Sequence, residues 1–137
     1  MSKLYAFLHP EMPEQKKIFF PRFKGEDGEV VPFIIKPITS AENKALIKKH
    51  TIVTKDRGGT KSRLDSAAYQ TALVIAGTVQ PDFTDAELCE GYGVLDPYQV
   101  VGKMLLVGEY SKLADEILKL SGLDEESDEE AAEEAKN

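Results

Sequence analysis

The chain has 137 residues, of which 42% are hydrophobic and 30% charged, a composition of a globular protein with enough length for a real core. No apolar run approaches the ~20 residues that cross a bilayer, and the opening "MSKLYAFLHPEMPEQ" lacks the pattern of a secretory signal. The net charge of −7 is carried entirely by residues 124–137, "DEESDEEAAEEAKN", while residues 1–123 hold 16 acids and 16 bases, so the body is not a general nucleic-acid binder.

In chain order, "KKIFFPRFKGEDGEVVPFIIK" (16–36) reads as a β-hairpin. Ile18, Phe19, Phe20 and Phe23 form one arm, and Val30, Val31, Phe33, Ile34 and Ile35 the other. "GEDG" supplies the turn. Pro21 and Pro32 each lack a ladder donor, which argues for edges, bulges or short strands. "ITSAENKALIKKH" then changes to helical spacing, with Thr39 and Glu42 as a capping box and Lys48, Lys49 and His50 at the last turn. "TKDRGGTKSR" (54–63) is a loop by composition.

A buried helix is expected next, capped by Asp65 or Ser66, with the stripe Tyr69, Ala72, Leu73, Ala76 and Val79 and a stop at Pro81. In "FTDAEL", Thr84 and Glu87 have capping-box spacing, and Phe83 and Leu88 staple spacing. Gly91 and Gly93 end that short helix. Asp96 with Pro97 opens the following one, which buries Val100, Val101, Met104 and Leu105 and is expected to break at Gly108. The last helix carries Tyr110, Leu113, Ala114, Ile117 and Leu120. Gly122 and Leu123 are placed to close it as a Schellman end. The expected fold class is therefore α+β: an N-terminal β-hairpin, then a compact bundle of four or five short helices in a single domain over 1–123. Residues 124–137 are expected to form an acidic, flexible and disordered tail, because they offer almost nothing apolar to bury. The expected core includes Phe33, Ile35, Leu73, Ala76, Leu88, Met104, Leu105, Leu113 and Ile117.

The chemical inventory is sparse. His9 and His50 are the only histidines, neither has a second ligand at metal spacing, and both read as solvated. Cys89, the one cysteine, cannot form an internal disulfide; it reads as a small buried filler and suits a reducing cytoplasm. "GGTKS" (58–62) lacks the glycine before lysine and the helix that a phosphate loop needs. Asp115 and Glu116 are neighbours in sequence and point to different helix faces. No catalytic, cofactor or metal residues can be named, and the chain is read as a non-enzyme. Lys44, Lys48, Lys49, Lys55, Arg57, Lys61 and Arg63 face one acid, Asp56, between positions 44 and 63. A small cytoplasmic adaptor or regulator that binds nucleic acid through this basic 44–63 segment is the alternative functional reading. A solvated loop is favoured over it, because no aromatic residue interleaves for base stacking.

The stretch "LDSAAYQTALVIAGTVQPDFTDAELCEGYGVLDPYQVVGKMLLVGEYSKLADEILKLSG" resembles the XkdN-like tail assembly chaperones of phages and prophages of Gram-positive bacteria. The landmarks are "VQPDFTDAEL", "GYGV", "KMLLVGEYSKL", "SGLDEE" and "EEAKN", with "RFKGEDGEVVPF" upstream, so the resemblance covers most of the chain. Val107 stands where a proline is expected before "GEY", and the acidic stretch before "EEAKN" is long. The resemblance implies a non-enzymatic protein of the host cytoplasm, absent from the mature virion. It implies binding to the tape-measure protein, whose solubility it maintains, and help in recruiting tail-tube protein. Self-association is compatible with it, as is a second form extended by a ribosomal frameshift. The density of large apolar residues in "YGVLDPYQVVGKMLLVGEY" exceeds what narrow helical stripes bury. Tyr92, Leu95, Tyr98, Val101, Leu106 and Tyr110 are accordingly the candidate partner-binding residues.

Overall fold

The structure, a computed structural model, describes residues 3–123; the expected disorder of residues 124–137 lies outside the described residues. The fold is α+β, as the patterning indicates. In order, the described elements are α1 (Tyr5–Leu8), β1 (Lys16–Ile18), β2 (Phe33–Ile35), α2 (Ser40–Lys49), β3 (Thr51–Asp56), β4 (Gly59–Leu64), α3 (Ser66–Gly77), β5 (Thr78–Gln80), α4 (Ala86–Gly91), α5 (Pro97–Met104) and α6 (Val107–Leu120).

The first hairpin forms as expected, with Lys16 opposite Ile35 and Ile18 opposite Phe33. Pro21 and Pro32 both lie outside the three-residue strands, so neither interrupts a ladder. Strand β2 is nonetheless the central strand, because β5 pairs with its other edge. This corrects the expectation that the α3 helix continues to Val79 and Pro81. The helix ends at Gly77 and Thr78–Gln80 turns extended, with the Lys36 N–H donating to the Gly77 carbonyl at 2.8 Å. Val79, expected inside, is 42% exposed.

The inner face of the sheet supplies Ile18, Phe33 and Ile35; α3 adds Leu73 and Val74, α5 adds Val100, Val101 and Met104, and α6 adds Leu113, Ala114 and Ile117. Each of these large aliphatic or aromatic side chains contributes about 1.5–3 kcal/mol when fully buried. Phe33 also meets the rings of Phe20 and Phe23 edge-on at 5.1 and 4.9 Å. Ala76 and Leu88, expected in the core, are partly buried against it. Gly77 is where α3 touches α6: a Cβ there would sit 2.7 Å from two carbons of the fully buried Ile117.

Several local signals are realised. Thr39 and Glu42 form the reciprocal capping box of α2, Asp65 accepts from the Ala68 N–H, and Asp96 accepts from the Gln99 N–H. Gly122 adopts φ +95°, with its N–H on the Lys119 carbonyl and the Leu123 N–H on the Leu118 carbonyl, a Schellman end.

Other expectations are corrected. The N-cap of α4 is Asp85, which accepts from the Glu87 N–H at 2.8 Å. Thr84 is occupied elsewhere, its hydroxyl and N–H both donating to Asp82. Gly108 does not end α5, which stops at Met104; it lies in the first turn of α6. The 54–63 segment is no loop, because Thr51–Asp56 and Gly59–Leu64 pair along their full length. The ribbon turns through Arg57 and Gly58, and Gly59, the first residue of β4, leaves that turn at φ +115°, a conformation that a residue with a side chain would resist. Finally, α1 forms a single turn in the N-terminal segment, which sequence patterning did not mark.

Candidate functional site

The α4–α5–α6 corner is built by successive caps. Asp85 starts α4, Asp96 starts α5, and Glu109 closes back on the Leu106 N–H at 2.8 Å to start α6. Arg22, from the turn after β1, locks this corner to the sheet. Its guanidinium donates to both Glu109 oxygens, at 2.6 and 3.1 Å, and to the Met104 carbonyl at 3.0 Å. The hydrogen bond with Arg22 holds the Glu109 carboxyl below its ordinary range and raises the guanidinium in return. A second tie runs from Lys16 to Glu116 at 2.5 Å, and lowers the Glu116 carboxyl.

The six candidate partner-binding residues separate into three groups. Leu95 is 96% exposed and Leu106 57% exposed, so both present apolar surface. Tyr92, Tyr98 and Tyr110 are half-buried. The Tyr98 hydroxyl bonds His50 Nε2 at 2.8 Å and that of Tyr110 bonds Thr71 Oγ1 at 2.9 Å, which fixes both rings. Val101, 1% exposed, belongs to the core and presents nothing to a partner. The set is therefore not one patch. Leu95 and Leu106 flank the eight-residue α5, roughly 12 Å long, so they stand at opposite ends of it.

Two open hollows adjoin the corner. One of about 390 Å³ is lined by Pro81, Leu88, Gly91 and Tyr92 together with the acidic Asp82, Asp85 and Glu87; another of about 290 Å³ lies on the sheet side, between Phe23, Val31, Pro81 and Met104. Both are bordered by Pro81, at the end of β5.

Sequence patterning missed three features. Val107, 84% exposed, extends the Leu106 surface; one apolar residue beside a glycine gave no periodic signal. Leu4, Tyr5, Phe7, Leu8 and Met12 are 60–81% exposed, and their abundance in so short a stretch was the available signal. The third is the projecting β3–β4 ribbon, every residue of which after Thr51 is exposed.

His50 is not the solvated side chain expected. It caps α2, is half-buried, and meets the Tyr98 ring edge-on at 5.5 Å. His9 is exposed and stacks on Tyr5. Cys89 is buried as a filler, its Sγ 3.9 Å from the Phe83 carbonyl. Among the described residues, no three His, Cys, Asp or Glu side chains are grouped to hold a metal ion, and no helix is long and apolar enough to cross a membrane.

The model of the phage XkdN-like tail assembly chaperone protein family matches residues 4–136. The chain is 36% identical over 130 residues to the phage-like element PBSX protein XkdN of Bacillus subtilis, covering 93% of this chain and 86% of that one. It is likewise 36% identical over 139 residues to the uncharacterized protein YqbN of the same organism, covering 98% and 93%. The crystal structure of YqbN superposes with a TM-score of 0.69 at 29% identity, over 90% of this chain and 99% of that chain.

Proposed function

The chain belongs to the phage XkdN-like tail assembly chaperone family, and on that premise we propose that it binds the tape-measure protein of its own phage or prophage. It keeps that long polypeptide from aggregating, helps bring tail-tube protein to it, and does so in the host cytoplasm without catalysing a reaction or entering the finished virion. The observation that carries this reading is the family match over residues 4–136.

The corner formed by α4, α5 and α6 is the surface we assign to the partner. Leu106 and Val107 offer exposed apolar area at one end of α5, beside the ring of Tyr110. At the other end, Leu95 and the hollow beside Tyr92 and Leu88 offer a second contact. Exposed leucines at the two ends of an element roughly 12 Å long suit an extended helical partner, which presents apolar side chains turn after turn. Tyr98 has its hydroxyl committed to His50, and Lys49 Nζ lies 5.7 Å from its ring centroid, which leaves it a lesser part in this surface.

The test is co-expression with the tape-measure protein of the same genome. The chaperone is expected to keep it soluble and to co-purify with it. Failure of the folded wild-type chain to do either contradicts the assignment. Leu106→Asp combined with Val107→Asp is expected to abolish co-purification while leaving the circular dichroism spectrum unchanged. Undiminished capture by that variant places the contact elsewhere.

A further inference from the structure

The charges of residues 1–123 cancel in sum but not in place. Residues 44–63 hold seven bases and one acid, whereas the other residues of 1–123 hold nine bases and fifteen acids. In the fold this basic stretch is the second half of α2 and the paired β3–β4 ribbon. On the ribbon, Lys55, Arg57, Lys61 and Arg63 are exposed and have no ion-pair partner among the described residues, since the pairs Lys16–Glu116 and Arg22–Glu109 lie elsewhere. The one acid, Asp56, accepts from the Gly58 N–H at 2.8 Å, within the ribbon's own turn. Pairing of Thr54 with Lys61 and of Ile52 with Arg63 puts Lys61 and Arg63 on one ribbon face. Lys55, opposite Thr60, is on the other, and Arg57 stands at the tip.

Cations on both faces and at the tip fit a polyanion that surrounds the ribbon better than one that lies against it. A flat acidic protein surface meets one face and leaves the other cations unmatched. The major groove of duplex DNA, about 12 Å wide and about 8.5 Å deep, admits a two-stranded ribbon and is walled by phosphates. Strands of six residues are about 20 Å long and lie about 4.8 Å apart, so the ribbon reaches into that groove from the body. Thr54, Thr60 and Ser62, exposed among the cations, carry hydroxyls of the kind that bond phosphate oxygens. The ribbon has no aromatic residue on which single-stranded bases could stack, and the major groove of duplex RNA is too deep and narrow for it. The acidic remainder of the body repels DNA, which leaves the ribbon as the side that approaches.

We propose that the β3–β4 ribbon is an arm that enters the major groove of duplex DNA and holds it through phosphate contacts, without reading its sequence. Such contacts release counterions, so the affinity falls steeply with salt. Four cations give a slope of about −3.6 in log affinity against log salt, at about −0.9 for each phosphate neutralised. This role goes beyond tape-measure binding and uses a different surface, so either reading can fail while the other stands.

The test is fluorescence anisotropy of a short labelled DNA duplex of mixed sequence, titrated with the full chain between about 0.02 and 0.2 M salt. Saturable binding is expected at the lowest salt, with the slope given above. Lys61→Gln with Arg63→Gln is expected to weaken binding severalfold and to flatten the slope by about 2. Lys17→Gln with Lys112→Gln makes the same change in net charge at exposed positions on β1 and α6, and is expected to leave binding unchanged. Absence of binding at the lowest salt overturns the proposal. An equal loss in the two double variants overturns it too, by making net charge the cause. So does binding to single-stranded DNA or duplex RNA as tight as to duplex DNA. Displacement by polyglutamate at matched charge also overturns it, in favour of an acidic protein partner. Circular dichroism checks that the variants are folded. Should either be perturbed, amide shifts of the wild-type chain decide: those of residues 51–64 are expected to move most when duplex is added, and movement centred elsewhere overturns the proposal.

Discussion

The two hairpins of this molecule are built on opposite terms. The ladder of the first is only three residues long on each strand, yet Ile18, Phe33 and Ile35 on it are 3%, 2% and 0% exposed. The second pairs six residues on each strand without irregularity, and almost every one of its side chains is exposed. Backbone hydrogen bonds therefore do not measure how firmly an element is held here. Each exchanges for bonds to water and contributes modestly, whereas removal of apolar surface from water is what fastens β2 to α3, α5 and α6. A two-stranded ribbon without a buried face is marginal by itself. Its persistence rests on its base, where Asp65 N–H bonds the His50 carbonyl at 2.8 Å and Thr51 Oγ1 bonds the Ile47 carbonyl at 2.6 Å.

The comparison is broken most severely by truncation in the first hairpin. Phe33→Ala is expected to cost about 3–5 kcal/mol, through lost burial and the cavity left among Phe20, Phe23 and the helices. Val53→Ala, on the ribbon and 60% exposed, should stay within about 0.5 kcal/mol. Urea denaturation of the two variants checks the pair; equal losses would mean the ribbon is packed. Next comes Gly77→Ala at the α3–α6 contact. Overpacking against Ile117 should cost about 1–3 kcal/mol, seen as a lower denaturation midpoint, although alanine favours a helix elsewhere.

A smaller effect sharpens the cap assignment. Asp85→Ala should lose about 1 kcal/mol, and Thr84→Ala less, since Asp85 carries the α4 cap. The reverse order in a denaturation series would restore Thr84 to that role. The least effect is in pH dependence. Glu109 and Glu116 have carboxyl groups lowered from the usual value of 4.5, chiefly by hydrogen bonds from Arg22 and Lys16. Their contribution is complete above that value and is lost as pH falls through the lower folded values. A Glu109→Gln, Glu116→Gln chain should therefore lose less stability than wild type on acidification from about pH 5. Parallel melting curves across that range would show that neither pair matters.

The legible parts of the sequence were those settled within one turn of chain. Thr39 with Glu42, Asp96 with Pro97, and Gly122 with Leu123 each act on neighbours a few positions away, and all three formed. What the sequence hid was decided at a distance or between adjacent competitors. Strand β5 exists because Thr78 and Gln80 meet Ile35 and Ile34 of β2, more than forty positions earlier, so helical periodicity through Val79 was a fair but losing signal. The ribbon has the Gly, Lys and Arg content of a loop, and its strands need no apolar alternation because they bury nothing. Thr84 lost the α4 cap to its neighbour when Asp82 accepted its hydroxyl. At the candidate surface, Val101 and Leu106 looked alike in sequence; only the position of α5 against the core separates a side chain 1% exposed from one 57% exposed.

The division between a folding core and the proposed partner surface is tested most directly by hydrogen exchange on the chain alone and mixed with the tape-measure protein, the proposed partner. Alone, amides of β2 and α6 should be protected most and those of the ribbon least. In the complex, added protection should fall on residues 105–110 and around Leu95. No added protection there, or protection confined to the ribbon, would contradict the account.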